Sequence, residues 1–503
     1  MRVLIRTDAS PAIGTGHAMR CLTLANELKS RGAQTCFISR HLPDYLGRMF
    51  QEQGHKVIQL KDSQPGTKLD ELAHSAWLGV SQEQDAADVL QAVQEVNWDW
   101  LIVDHYALDF RWESRVRQVA KKVLAIDDIA DRRHDCDILL DQNFYADMES
   151  RYRGKVPAHC ELLLGPRYAL LRAEFRSMHE QIRPRTGNVR SILIFFGGMD
   201  AGNFTGRAIA ALAEIDLRGI RVDVVIGAQH PNRQQIEMEC AGRGYACHVQ
   251  TDRMAELMAA ADMAVGAGGI AVWERCCLGL PTLAIGTAEN QERQLADAAE
   301  AGLVYTPDGR GELERVIAQH VDALLSNAHL RALLSANGIR MVTGRGANDV
   351  AILMGCGDVR VRVANMDDVG RLFAWRNHPS VRAVSRNSEE IGWEAHQRWM
   401  AKVLSEPRNA LLIGEQSGVP FGVVRFDIGN EDDAEISIYL DPEKQSSGLG
   451  QGLLSTAEIW LRAHQPEISV IRAVVLGGNE RSQRFFERAG YKAESTTYLK
   501  RLH

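Results

Sequence analysis

Long apolar runs are missing from this chain. Its most apolar segment, Met263 to Trp273, is closed by Asp262 and Glu274 and is too short to cross a bilayer. The opening residues, MRVLIRTDAS, contain no apolar core of the kind a secretory signal needs, so no membrane association is expected. An excess of positive charge is missing too. Lys plus Arg number 58 against 65 Asp plus Glu, a net charge of −7, which leaves no field to gather polyanions and makes nucleic acid an unexpected partner. Cysteine is sparse and unpatterned: nine residues, an odd number with no C-x-x-C pair and none after Cys356, which excludes a disulfide framework and predicts reduced thiols in the cytoplasm. No clustered His/Cys ligand set is present, so a metal-independent reaction is expected. What is present is ordinary globular composition, 45% hydrophobic and 24% charged over 503 residues, enough for two or three domains.

The pattern of apolar residues divides the chain. From Arg2, short apolar strands (RVLIR, TCFIS, DWLIVDH, KVLAID, ELLLG) alternate with helix-length amphipathic runs, the grammar of a parallel sheet built from βαβ units. After the polar stretch IRPRTGNVR the grammar restarts with SILIFFGG, RVDVVIG, ADMAVGAGG and PTLAIG. Two doubly wound Rossmann-like α/β halves are therefore expected, residues 1–180 and 181–354. Beyond the Gly355-Cys356-Gly357 turn, strands follow one another directly (ALLIGEQ, GVVRFDIG, AEISIYL), which predicts an α+β domain with an antiparallel sheet over 358–503.

In an open α/β sheet, ligands sit beyond the carboxyl ends of the strands. The first strand runs into TDASPAIGTGH, where Gly14 and Gly16 permit close approach and His17 starts a helix facing the cleft. A histidine there is more often a cap or a packed surface residue than a base. In the second half FFGGMD (Phe195 to Asp200) and GAGGIAVWERCCLGLP (Gly266 to Pro281) each follow a strand and precede a helix, so backbone N–H groups and the helix dipole converge as they would on a diphosphate. Glu274, one turn into its helix, is placed to accept from ribose hydroxyls or simply to favour the dipole.

The ordered set RTDAS…IGTGHAMRCLTLA, LIVDHY, IDDIADR, LLDQN, LLGPRYALLR, FGGMD, GAGG…WERCCLGLP and NQ resembles the UDP-sugar hydrolases of pseudaminic acid biosynthesis, over about residues 1 to 350. Those enzymes are relatives of the GT-B glycosyltransferases of the MurG type. The resemblance implies inverting hydrolysis of the anomeric C–O bond of UDP-2,4-diacetamido-2,4,6-trideoxy-β-L-altropyranose. It also implies His17 as general base toward water, Glu274 as the ribose-binding acid, Gly268 and Gly269 as the backbone meeting the diphosphate, and Asn290 as an amide that positions sugar or water. Gly14 and Gly16 would line the cleft, and Asp8, Asp104 and Tyr106 would hold sugar groups. Where relatives commonly carry small hydroxyl residues after the double glycine, this chain has Ile270 and Ala271, so backbone amides alone must serve.

In the last domain the strand AEISIYL is followed by DPEKQSSGLGQGLL, placing Gln445, Gly448, Gly450 and Gly452 in a strand-to-helix turn. With NERSQRFFERAGY downstream, this order is similar to the GNAT acetyltransferase superfamily: Gln445-x-x-Gly448-x-Gly450 matches its acetyl-CoA loop, and Asn479, Ser482 and Gly490-Tyr491 its second motif. WRNHPSVR and the His396-x-x-Trp399 pair resemble the RimJ/RimL-like branch. The resemblance implies acetyl-CoA as co-substrate and an amino-sugar or protein amine as acceptor. By period-two alternation Glu435, Ser437 and Tyr439 share one strand face, and Glu435 is the candidate base. Phe485 and Phe486 stand where many relatives carry a tyrosine acid, leaving Tyr491, Tyr498 or water for that role.

Together the two resemblances imply consecutive steps, 4-N-acetylation of UDP-4-amino-4,6-dideoxy-N-acetyl-β-L-altrosamine and then removal of UDP. A glycosyltransferase joined to another amino-sugar or protein acetyltransferase, and a nucleotide-sugar binding protein that modifies a partner, stay open. Oligomeric state is not legible.

Overall fold

The computed structural model describes residues 1–61, 70–93, 97–217, 219–307, 311–356, 359–406, 409–416, 418–429, 432–444, 449–476 and 479–494. The chain forms two compact units, Met1–Ala351 and Ile352–His503.

The first unit holds two parallel sheets, each with the helix-covered form of a Rossmann-like half. Strands β1 (Arg2–Thr7), β2 (Gln34–Ser39), β3 (Lys56–Gln59), β4 (Trp98–Asp104), β5 (Ala120–Ile126), β6 (Ile138–Asp141) and β7 (Glu161–Leu164) lie in the order 3-2-1-4-5-6-7. Strands β8 (Ser191–Phe195), β9 (Arg221–Ile226), β10 (Ala246–Val249), β11 (Met263–Ala267) and β12 (Thr282–Ile285) follow in the order 10-9-8-11-12. Helices cover both faces, so central strands such as β1 and β4 are buried on both sides and read as unbroken apolar runs. Each order reverses once, between β1 and β4 and between β8 and β11. These switch points open the crevices in which such sheets bind ligands.

The halves close on each other through residues 143–147. Trp273 Nε1 and Gln294 Nε2 donate to Asn143 Oδ1 (2.9 and 3.1 Å), and Arg293 pairs with Asp147 at 2.7 Å. The last helix of the unit, Gly346–Leu353, reaches back to the first half, where Arg31 donates to Asn348 at 2.5 Å. Gly346 is glycine because a Cβ there would lie 2.3 Å from the Ala169 carbonyl oxygen.

The second unit is a five-stranded mixed sheet, β13 (Val359–Val363), β14 (Asn409–Gln416), β15 (Val419–Ile428), β16 (Asp433–Leu440) and β17 (Val470–Ala473), in sequence order. All neighbours pair antiparallel except β16 and β17. Alternation splits its core: Leu412, Val424 and Ile436 pack beneath the helix Leu449–His464, whereas Leu411, Ile413 and Val423 face Leu372, Trp375 and Met400 on the other side. Among the described residues no helix is long and apolar enough to cross a membrane, and no group of three or more His, Cys, Asp or Glu is placed to hold a metal ion.

Candidate active sites

His17 sits at the start of the helix Gly16–Ser30, above the β1/β4 switch point, 9% exposed. Its Nδ1 lies 2.6 Å from Asp104 Oδ1 at the end of β4, and 3.2 Å from Arg20 Nη2. Arginine only donates and carboxylate only accepts, so the shorter contact places a proton on Nδ1, which donates to Asp104 and leaves Nε2 as the nitrogen turned away from that carboxylate. Arg20, one turn along the helix, clamps Asp104 through two nitrogens (2.6 and 2.7 Å) and reaches Asp128 at 2.8 Å. These partners hold the Asp104 carboxyl far below the usual carboxylate range despite its complete burial. Tyr106 packs edge-on against the imidazole with ring centroids 4.5 Å apart, and its hydroxyl donates to Asp128. Trp77 stacks on Tyr106 at 5.6 Å, and His74 lies beside both.

The geometry changes three expected roles. Asp8 is wholly buried, paired with Arg6 at 2.5 Å and accepting from the Arg40 amide at 2.8 Å, so it ties the loop after β1 to the sheet and shows no surface to a sugar. Asp104 likewise has no exposed surface; it stands behind His17 and orients it. The Tyr106 hydroxyl is engaged, and the ring is what this residue turns toward the imidazole. Gly14 adopts φ 79°, and a Cβ on it or on Gly16 would meet nothing within 4 Å. Arg20, Asp128 and Asn143 are the residues that sequence reasoning missed, although all three lie inside its motifs. Asn143 donates to Asp128 at 3.3 Å while accepting from Trp273 of the second half, so the imidazole's support runs into the opposite half.

In the second half the two glycine clusters are not equivalent. After β8, Asp200 turns its carboxylate onto the N-terminus of the helix Phe204–Leu212, accepting from the amides of Phe204 and Thr205 (2.9 and 2.7 Å). Those donors are spent, which overturns the expectation that FFGGMD converges on a diphosphate. After β11, the helix Ile270–Cys277 has no side-chain cap. Gly269 there adopts φ 73° and ψ −159°, a region only glycine enters easily. The Gly268 amide is spent on the Ile285 carbonyl at 3.2 Å, whereas the amides of Ile270 and Ala271 begin a helix whose first N–H groups have no intrahelical acceptor. Gly268 gives room instead: a Cβ would lie 2.7 Å from Gln291 Oε1, an amide that the NQ motif contained but sequence reading left unused. Asn290 lies in the first turn of the helix Glu289–Glu300, and its side chain is outside the described residues. Glu274 is half-buried, 3.7 Å from Arg172, and burial raises its carboxyl toward the neutral form.

In the second unit β17 pairs with β16 only from Asp433↔Val470 to Ile436↔Ala473. Beyond that point a cavity of about 1370 Å³ opens, lined by Glu435, Ser437, Tyr439, Gly450, Asn479 and Ser482 among others. Glu435 is paired with Arg386 at 2.8 Å. Asn479 caps the helix Glu480–Arg488, its side chain accepting from the Ser482 amide at 3.1 Å. Gly452, expected at the cofactor, is instead a packing glycine: a Cβ would lie 3.1 Å from Val359 of β13. Gly450 gives Phe485 the same clearance. Gln445, Gly448 and Tyr498 lie outside the described residues. Tyr491 donates to Glu458 at 2.8 Å and does not line the cavity. Tyr439 does, and burial keeps its phenol protonated.

Comparison with known proteins divides the chain along the same line. The acetyltransferase (GNAT) family model matches residues 372–491. The first unit is similar to UDP-2,4-diacetamido-2,4,6-trideoxy-beta-L-altropyranose hydrolase of Campylobacter jejuni, 25% identical over 238 residues, 47% of this chain and 73% of that protein. It is also similar to the spore coat polysaccharide biosynthesis protein SpsG of Bacillus subtilis, 23% identical over 70% of this chain and 98% of that protein. The chain joins a region similar to these two proteins to a segment that matches the acetyltransferase (GNAT) family model. An uncharacterized protein of Methanocaldococcus jannaschii is similar along nearly the whole chain, 23% identical over 98% of this chain and 97% of its own length.

Proposed function

We propose that the first unit hydrolyses the anomeric C–O bond of a UDP-linked acetamido sugar and that the second acetylates the amino-sugar precursor from acetyl-CoA. The observation that carries the reading is the His17–Asp104 pair at the β1/β4 switch point. With Nδ1–H held by Asp104, His17 Nε2 takes a proton from water as its oxygen attacks the anomeric carbon. Buried Asp104 then faces an imidazolium, which its charge stabilises. UDP departs from the opposite face, giving inversion, with its diphosphate on the Ile270 and Ala271 amides and its ribose hydroxyls at Glu274. No protein acid is needed for a leaving group already bound as an anion.

In the second unit Glu435 receives the proton of the acceptor ammonium once the incoming cation replaces Arg386, the amine attacks the thioester carbonyl, and as the C–S bond breaks protonated Tyr439 gives its proton to the coenzyme A thiolate and is reprotonated from the newly acylated nitrogen. The acceptor that fits the pair of activities is UDP-4-amino-4,6-dideoxy-N-acetyl-β-L-altrosamine, whose acetylated product is the hydrolase substrate. Small-molecule ligands suffice for both steps, and a tether between them raises the local concentration of the intermediate. Hydrolysis in H₂¹⁸O tests the bond cleaved: UDP released without label supports attack at carbon, and label in the UDP phosphate refutes it.

A further inference from the structure

Arg275 is a buried cation that makes no ion pair among the described residues, with only the neighbouring Glu274 as a favourable charge. It lies in the helix Ile270–Cys277, 1% exposed, and among the described residues no carboxylate comes within ion-pair distance. Its side chain runs back along the helix toward the N-terminus, as helical side chains do. There Nη2 donates to the Ala267 carbonyl oxygen at 2.5 Å, while Nε and Nη1 find no partner among the described residues. The guanidinium is pressed against the end of β11, where a Cβ on Gly266 would lie 2.6 Å from Nη1. Burial lowers the guanidinium to about 10.

Buried charge is costly unless paired, and here it stands at the positive end of a helix dipole, beside the amides of Ile270 and Ala271. Three positive features converge on one glycine turn and repel one another. An anion at the turn relieves that repulsion, and a diphosphate brings more negative charge than a single carboxylate.

We infer that Arg275 is a positioning residue for the diphosphate: a fixed buried charge behind the Gly268-Gly269 turn that selects ligands by their phosphate charge and holds the departing UDP. The inference rests on the UDP-sugar reading above. It extends that reading to a residue that touches neither the sugar nor the attacking water.

Titration calorimetry of the full chain with UDP and with uridine, for wild type, Arg275→Met and Arg275→Lys between pH 6 and 9.5, tests it. Expected is a loss of tenfold or more in UDP affinity for Arg275→Met with uridine changed less than twofold. For Arg275→Lys, near wild-type UDP affinity is expected at pH 6, falling as pH rises, because a buried ammonium deprotonates far more readily than guanidinium. Referred to uridine and to wild type at each pH, so that the ligand's own titration cancels, the loss should be confined to Arg275→Lys. Equal losses for UDP and uridine, or a pH-independent Arg275→Lys, would mean a merely structural arginine and overturn the inference. Wild type that binds uridine and UDP equally also overturns it. Wild type that binds neither removes the nucleotide reading itself.

Discussion

At the residue scale, the proposed hydrolysis turns on which nitrogen of His17 faces Asp104. His17→Ala should lower hydrolysis by about 10²–10⁴-fold while leaving acetyl transfer untouched, measurable as UDP release beside coenzyme A release. Asp104→Asn tests the orienting role. An amide can donate to Nδ1, which would put the proton on Nε2 and remove the base, so kcat should fall by roughly 10²–10⁴-fold with little change in KM. In the second unit Glu435→Gln should slow acetyl transfer by about 10²-fold or more without affecting hydrolysis. His17 was legible because a strand, a glycine loop and a helix start frame it. The role of Asp104 was not, because a carboxylate at a strand end reads the same whether it faces a ligand or, as here, turns onto Arg20 and the imidazole. Asp8 misled for the same reason: period and spacing place it at the crevice, and only the Arg6 pair shows that it is buried.

Among the elements, the two glycine-rich turns of the second half look alike as strings and differ in who caps the following helix. Asp200 occupies one N-terminus. Asp200→Ala should therefore cost about 1–2 kcal/mol of stability, read by denaturant unfolding, with UDP affinity unchanged. The other N-terminus is open and needs glycine. Gly269→Ala forces a backbone region that costs about 1–3 kcal/mol and should weaken UDP binding together with hydrolysis. The strands that alternate cleanly, β14 to β16, and the long apolar ones, β1, β4 and β8, were readable from pattern alone. The short strands β3 and β10 were not, since KVIQ and ACHV are four residues each, half-buried at sheet edges with no strong period. Gly452 reads as a cofactor-loop glycine by its spacing, yet it is held to glycine by Val359, a residue nearly a hundred positions upstream.

For the molecule as a whole, each unit carries its own cores, Leu193 and Trp273 belonging to one and Leu412 and Leu453 to another. Expressed separately, residues 1–351 and 352–503 should each unfold cooperatively and keep their own activity, losing only the benefit of a shared tether. The central claim is that one chain performs two consecutive steps on a UDP-sugar. Its most direct test supplies the full chain with acetyl-CoA and UDP-4-amino-4,6-dideoxy-N-acetyl-β-L-altrosamine and follows products by NMR and mass spectrometry, beside His17→Ala. The account predicts free diacetamido sugar, UDP and coenzyme A from wild type, and accumulation of the acetylated UDP-sugar from the variant. Wild type that halts at the acetylated UDP-sugar, or releases no coenzyme A, would contradict it.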